Sequence, residues 1–146
     1  MHLEYSVFGV FAFCPDCGVH NSLLILNKNL SVIQRALTLA EGLEDPELKT
    51  HMIEDALENC VSAFDGFGRE ACSIRRFKSA DEKKCLKLSF QNLKRAASEV
   101  ETLFGVDISS GIPSADWEIL HVRFMQRHLL AHRAGVIDQK FTMRLE

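Results

Sequence analysis

The segment from Asp45 to Ala71, DPELKTHMIEDALENCVSAFDGFGREA, decides the fold class. Asp45 is a residue type favoured at helix N-caps, and Pro46 follows at the first helical position, where a missing N–H is harmless. Apolar side chains then recur every three or four residues, which is the period of one face of an α-helix. They are Ile53, Leu57, Cys60, Val61, Phe64, Phe67 and Ala71. A long amphipathic helix is predicted here.

The opposite side of this helix is polar, which predicts a face in contact with solvent. Its residues are Glu54, Glu58, Asp65 and Arg69. Gly66 and Gly68 weaken the helix locally, and we interpret both as points of close packing against a neighbouring element.

Similar periodicity predicts helices on both sides of this one. The first runs roughly over residues 30–43 and stops near Pro46. A third follows the cap-like sequence Ser79–Glu82 and ends at Gly105. The apolar stripe of the first is Leu30, Ile33, Leu37, Ala40 and Leu43. The apolar stripe of the third is Leu86, Phe90, Leu93, Ala97, Val100 and Phe104.

A fourth helix is predicted from about residue 115 to 132, with Ser114 as its cap and Gly135 just beyond its end. Three prolines and eight glycines in 146 residues leave long uninterrupted stretches, which favours helices. Four amphipathic helices joined by short connections predict an all-α protein, with an antiparallel four-helix bundle over residues 28–146.

Residues 1–27 have a different character. Tyr5–Phe13 is rich in aromatic and branched residues and is typical of a strand. Cys14–Gly18 predicts a turn, and Ser22–Leu26 predicts a second, returning strand. We therefore expect a short β-hairpin before the helical domain.

Cys14 and Cys17 lie two residues apart, which is the spacing of a zinc knuckle, because a tight turn can aim both sulfurs at one tetrahedral metal. His20 or His2 could add a ligand, so a structural zinc site is one interpretation. The surrounding residues are similar to half of a zinc ribbon. A redox pair and two unligated thiols are the alternatives, and the first is disfavoured because no helix is predicted to follow the pair.

The composition bounds the classes of function. The chain has 17 basic and 20 acidic residues and a net charge of −3, so it is not a strongly basic nucleic-acid binder, and any basic surface has to be local. Basic residues do crowd the C-terminal end: Arg123, Arg127, Arg133, Lys140 and Arg144. No apolar run approaches the roughly 20 residues of a membrane-spanning helix, and the N-terminus lacks a signal-peptide pattern, which predicts a cytoplasmic protein.

Arg127 and His132, near the end of the fourth helix, are the residue types that could cleave RNA without a metal. The arginine carries a permanent planar charge that can bind a phosphate and stabilise a transition-state oxyanion. The histidine can accept the 2′-OH proton or protonate the leaving 5′-oxygen.

The spacing adds a constraint. Five residues on a regular helix span about 140° around the axis, so Arg127 and His132 do not converge within one protomer. His128 and His132, four apart, do share a face. A two-fold dimer with this helix end at its axis would supply two copies of each group, so the hypothesis requires a homodimer.

Two other interpretations are open. Basic residues in the last turn of a helix are favoured by the helix dipole alone, without any function. His121, His128 and His132 lie near one face and could bind zinc together with a carboxylate, although no established metal-binding motif is present.

The sequence Arg127-His128-Leu-Leu-Ala-His132, followed by Gly135-Val-Ile-Asp138, resembles the terminal helix of HEPN domains (higher eukaryote and prokaryote nucleotide-binding). The segments Ser89–Leu93 and Leu103–Ile108, ahead of Trp117, are similar to the preceding helix and loop of bacterial members. The resemblance covers roughly residues 30–146.

The resemblance implies an all-α bundle that dimerises through the motif helices. It also implies a metal-independent ribonuclease of the kind found in toxin–antitoxin, anti-phage and RNA-processing systems, with RNA and an antitoxin or other protein as partners. Arg127 would bind the phosphate, His132 would be the acid/base and His128 the supporting polar residue. Asp138, just past the helix, could orient His132.

The family also contains inactive members, so a non-catalytic module that binds RNA, nucleotide or protein is the alternative. Toxins silenced by nucleotidylation resemble one another in a tyrosine two residues after the histidine. Ala134 occupies that position here, which disfavours this form of regulation.

Overall fold

A computed structural model describes residues 21–133 of the chain. Within this range the protein consists of five α-helices and one short 3-10 helix, and residues 21–133 include no strand. The helices are α1 (Ser22–Glu41), α2 (Pro46–Ile74), α3 (Glu82–Cys85), α4 (Leu93–Phe104) and α5 (Ser114–Arg133), and the 3-10 helix is Arg76–Lys78. The predicted all-α class is confirmed for the described part of the chain.

The N-terminal prediction needs one correction. Ser22–Leu26 is not a strand but the beginning of α1, which starts eight residues before the predicted first helix. The sequence pattern explains why this segment is helical. Leu26, Ile33 and Ala40 are spaced seven residues apart, so they lie on one face of a helix. Ile33 and Ala40 are buried on that face, which packs on α2. The predicted strand Tyr5–Phe13 and turn Cys14–Gly18 lie outside the described residues.

The start of α2 is as predicted. Asp45 is the N-cap, and its carboxylate accepts hydrogen bonds from the backbone N–H groups of Glu47 and Leu48 at 2.9 and 3.2 Å. These bonds satisfy N–H groups that have no partner within the helix. The helix then continues for 29 residues and is the longest of the described elements.

The two glycines of α2 differ. A Cβ atom on Gly68 would lie 2.6 Å from the ring of Phe90, so the predicted close packing is confirmed there. A Cβ atom on Gly66 would have nothing within 4 Å among residues 21–133, so within this part of the chain the same prediction is wrong for Gly66.

The predicted third helix is divided in two. The Asp81 carboxylate caps α3 by accepting from the N–H of Lys84 at 3.0 Å, but α3 ends at Cys85 and residues 86–92 are not helical. In this linker the N–H of Phe90 donates to the side chain of Asp65 instead of a helical carbonyl. Leu86, which was expected on the apolar stripe, is exposed.

The C-terminal end of α4 and both ends of α5 agree closely with the prediction, whereas the start of α4 was not predicted. Asn92 caps α4 by accepting from the N–H of Arg95 at 3.0 Å. Gly105 follows α4 with φ +66°, a left-handed conformation that is favourable for glycine and that ends the helix. α5 spans Ser114–Arg133, within one residue of the predicted bounds at each end.

The helices surround a core built mainly by the linker and α4. α1 packs on α2, α2 packs on α5, and α4 packs on α5. The main buried cluster is Cys85, Leu88, Phe90, Ala96, Val100 and Leu103, with Phe64, Cys72, Phe104 and Ile108 packed against it. None of the helices described within residues 21–133 has the length and apolar character needed to cross a membrane.

Candidate functional site at Arg127

Arg127 lies on α5 where this helix meets α2 and the linker. Only 8% of the residue is exposed. Its Nη2 donates to Oε1 of Glu58 on α2 at 3.1 Å, and its Nη1 donates to Oε1 of Gln91 in the linker at 3.3 Å. One guanidinium therefore connects three parts of the chain that are far apart in sequence.

The two charges of this ion pair have different access to solvent. The side chain of Arg127 is 9% exposed, whereas that of Glu58 is 51% exposed. The Nε atom of Arg127 is buried, and it has no hydrogen-bond partner among the described residues. A buried donor without a partner is unfavourable, and such groups occur frequently at functional sites.

The backbone at Gln91 is positioned by hydrogen bonds that connect the linker to α2. Asp65, which is buried, accepts from the N–H of Phe90 and from the Oγ of Ser89, the latter at 3.2 Å. Ser89 Oγ accepts in turn from the N–H of Gln91 at 3.4 Å. The linker is therefore held against α2 immediately before the residue that contacts Arg127.

Aromatic packing supports the same junction. The ring of Phe64 on α2 makes edge-to-face contacts with Phe90 and with Phe124 on α5, at centroid distances of 5.7 and 5.8 Å. This geometry is favourable for aromatic pairs. The three rings therefore connect the same three segments as Arg127: α2, the linker and α5.

The prediction of a solvated polar face on α2 is wrong for Asp65 and incomplete for Glu58. Asp65 is buried and bonded to the linker, and Glu58 pairs with Arg127. The sequence carries one general signal: a buried arginine requires a carboxylate partner. The sequence does not indicate which of the 20 acidic residues it would be.

α5 continues without a break through Arg133, so positions 127 and 132 lie about 140° apart around its axis, as expected from the spacing. His128 is exposed and does not share the buried position of Arg127. The side chain of His132 and the whole of Asp138 lie outside what is described.

His121 lies two turns before His128 and is buried, at 9% exposure. Burial lowers the pKa of its imidazole, and the positive charge of Lys94 lowers it further, while Glu118 acts in the opposite direction. Lys94 and Glu118 are 3.4 Å apart and link α4 to α5. His121 is thus favoured in its neutral form.

No group of three or more histidine, cysteine or acidic side chains suited to a metal ion is found within residues 21–133. The predicted zinc ligands Cys14, Cys17 and His20 lie outside that range, as does the alternative ligand His2. The histidine trio of α5 includes His132, whose side chain is not described.

The chain was compared with protein-family models, curated proteins and solved structures, and none of them matches it.

Proposed function

We propose that the chain is a homodimeric, metal-independent endoribonuclease of the HEPN type, with Arg127 as the phosphate-binding residue and His132 as the acid/base. The proposal is supported by the surroundings of Arg127. Its guanidinium is buried, its Nε has no hydrogen-bond partner among residues 21–133, and the carboxylate that it pairs with is half exposed. A guanidinium of this kind is a strong binding group for an anion that can reach it.

The reaction would be attack of a ribose 2′-oxygen on the adjacent phosphorus. One His132 takes the 2′-OH proton, Arg127 stabilises the charge on the phosphoryl oxygens, and the protonated His132 of the partner subunit gives a proton to the leaving 5′-oxygen. The products are a 2′,3′-cyclic phosphate and a 5′-hydroxyl. His128 and Asp138 would support and orient His132.

Two features of α5 support a dimer in this proposal. Ile119 and Leu120 are 55% and 40% exposed, and exposed apolar side chains on one helix favour a protein–protein contact. Leu120, Arg123 and Arg127 follow one another at intervals of four and three residues, so they lie along one stripe of α5. A two-fold contact along this stripe would bring two copies of Arg127 near each other.

We also propose how the helices are arranged. α1, α2, α4 and α5 would form a HEPN-like antiparallel four-helix bundle, with α3 and the linker as an insertion between its second and third helices. The packing of α1 on α2, α2 on α5 and α4 on α5 supports this arrangement.

The test is RNA cleavage by purified wild-type protein and by Arg127→Ala and His132→Ala. We expect each substitution to abolish cleavage while the dimer persists in light scattering, and we expect wild-type cleavage to continue in EDTA and to leave cyclic phosphate ends. Arg35→Ala is the matched control, because it removes the same charge at an exposed position on α1, outside the proposed site and dimer contact.

Absence of cleavage by the wild type, or cleavage only with added metal, would contradict the enzyme proposal. Equal loss of activity in Arg35→Ala and Arg127→Ala would also contradict the role of Arg127.

A second function is favoured by the same ion pair. Because Glu58 and Gln91 already bind Arg127, the arginine can act as a purely structural connection in a non-catalytic module that binds RNA, nucleotide or a protein partner. In that case Arg127→Ala lowers the thermal midpoint, and the wild type binds RNA without cutting it.

A further inference from the structure

The two acceptors of Arg127 differ in charge. Gln91 is neutral and belongs to the linker that Asp65 holds against α2. Glu58 carries a negative charge, and half of its side chain is in contact with solvent. The Glu58 side chain can therefore turn into solvent without disturbing the linker.

The edge of the guanidinium that faces Glu58 is only partly used. Nε and Nη2 form one edge of an arginine, and together they can donate two parallel hydrogen bonds to a carboxylate or phosphate. Nη2 donates to Glu58 here, whereas the buried Nε has no partner among residues 21–133. A phosphate on this edge could accept from both nitrogens, so it would gain a bond that Glu58 does not make.

We propose that Glu58 is a displaceable counter-ion, which occupies the anion-binding edge of Arg127 in the free protein and leaves it when a phosphodiester binds. The identity of that anion as an RNA phosphate rests on the proposed function. Glu58 neutralises the buried arginine in the absence of RNA and weakens binding of any phosphate that comes without enough additional contacts to displace it. It is a positioning residue and takes no part in the chemistry.

The test measures binding of a 2′-O-methyl RNA oligonucleotide, which lacks the attacking 2′-OH, by fluorescence anisotropy at low salt. Glu58→Gln keeps the size of the side chain and a hydrogen-bond acceptor but removes the charge. We expect it to tighten binding about tenfold, the scale of a close charge pair. Glu54→Gln is the matched control, one turn earlier on α2 and with the same charge change, and we expect less than about a twofold effect from it.

A double variant distinguishes competition between Glu58 and RNA for Arg127 from a general effect of removing one negative charge from the protein. The gain in affinity from Glu58→Gln should disappear in the double variant Glu58→Gln/Arg127→Ala.

Glu58→Asp is the alternative variant if Glu58→Gln does not fold. Its carboxylate is on a side chain one methylene shorter and reaches Nη2 less well, so this substitution should tighten RNA binding to a smaller degree. Unchanged or weaker binding in the folded Glu58 variants would overturn the proposal, as would the absence of binding in every variant.

Failure of this inference is distinguishable from failure of the proposed function. Arg127-dependent tightening with no RNA cleavage by the wild type would support the counter-ion and contradict the nuclease. Arg127-dependent cleavage with no tightening in Glu58→Gln would support the nuclease and overturn the counter-ion.

Discussion

The ring of Phe90 lies against the backbone of Gly68, where a Cβ atom would be 2.6 Å from Cδ2 of the ring. Real Cβ atoms do not approach other heavy atoms so closely, so this position of α2 has room only for glycine unless the ring moves. Phe90 belongs to the buried cluster and also contacts Phe64, so its ring has little freedom to give way.

Gly68→Ala is therefore expected to lower the free energy of unfolding by up to about 2 kcal/mol, because an overpacking cost of about 1–3 kcal/mol opposes a gain of about 1 kcal/mol in helix propensity. Gly66→Ala, on the same helix and with no atom of residues 21–133 within 4 Å of the added carbon, is the control and should raise stability by about 0.5–1 kcal/mol. Urea denaturation of both variants measures the difference. Equal stabilisation by the two substitutions would show that the contact between Gly68 and Phe90 is not tight.

The Asp65 carboxylate holds the linker, and its removal should be costly. Asp65→Ala leaves the N–H of Phe90 without its acceptor, and Phe90 is only 3% exposed. We expect a loss of about 1–3 kcal/mol, the scale of a buried donor left unsatisfied, measured by urea denaturation. Asp55→Ala on the same helix is the control, because its carboxylate is exposed and pairs with exposed His51 at 3.7 Å. A similar small loss in both variants would mean that Asp65 does not hold the linker.

The helical class and most helix ends were predictable because they depend on local chemistry. Asp45 with Pro46 starts α2, and Gly105 ends α4, each through contacts with residues close in the chain. The position of Arg127 on the last helix followed from the same local pattern.

The partners of Arg127 were not predictable, because they depend on contacts between distant segments. Glu58 is 69 residues away and Gln91 is 36 residues away from Arg127. The break between α3 and α4 has the same origin: the Asp65 carboxylate takes the N–H of Phe90, although the periodicity of the segment predicts an uninterrupted helix.

Cys72 should react slowly with alkylating reagents in the folded protein. Burial, with a smaller contribution from the neighbouring Cys85, raises the pKa of its thiol to about 11. The reactive species is the thiolate. At pH 7.4 only about one Cys72 side chain in several thousand is then in this form. Iodoacetamide labelling followed by mass spectrometry should find Cys72 unmodified in native protein and modified in urea, with the native rate rising as the pH is increased. Native labelling at neutral pH as fast as that of free glutathione would contradict the raised pKa.

The buried His121 should make stability depend on pH in a defined direction. Its pKa is lowered from the ordinary value of 6.5, mainly by burial and secondarily by Lys94, so the unfolded chain binds a proton more readily than the folded protein does. The contribution of its neutral form is fully present above pH 6.5 and is lost as the pH falls from 6.5 through the lower pKa of the folded state. His121→Gln removes this titration, so the wild type should lose more stability than the variant between pH 7.5 and pH 5. An NMR titration of the His121 ring gives the direct measurement, and a midpoint at or above 6.5 would show that the desolvation of this side chain does not control its protonation.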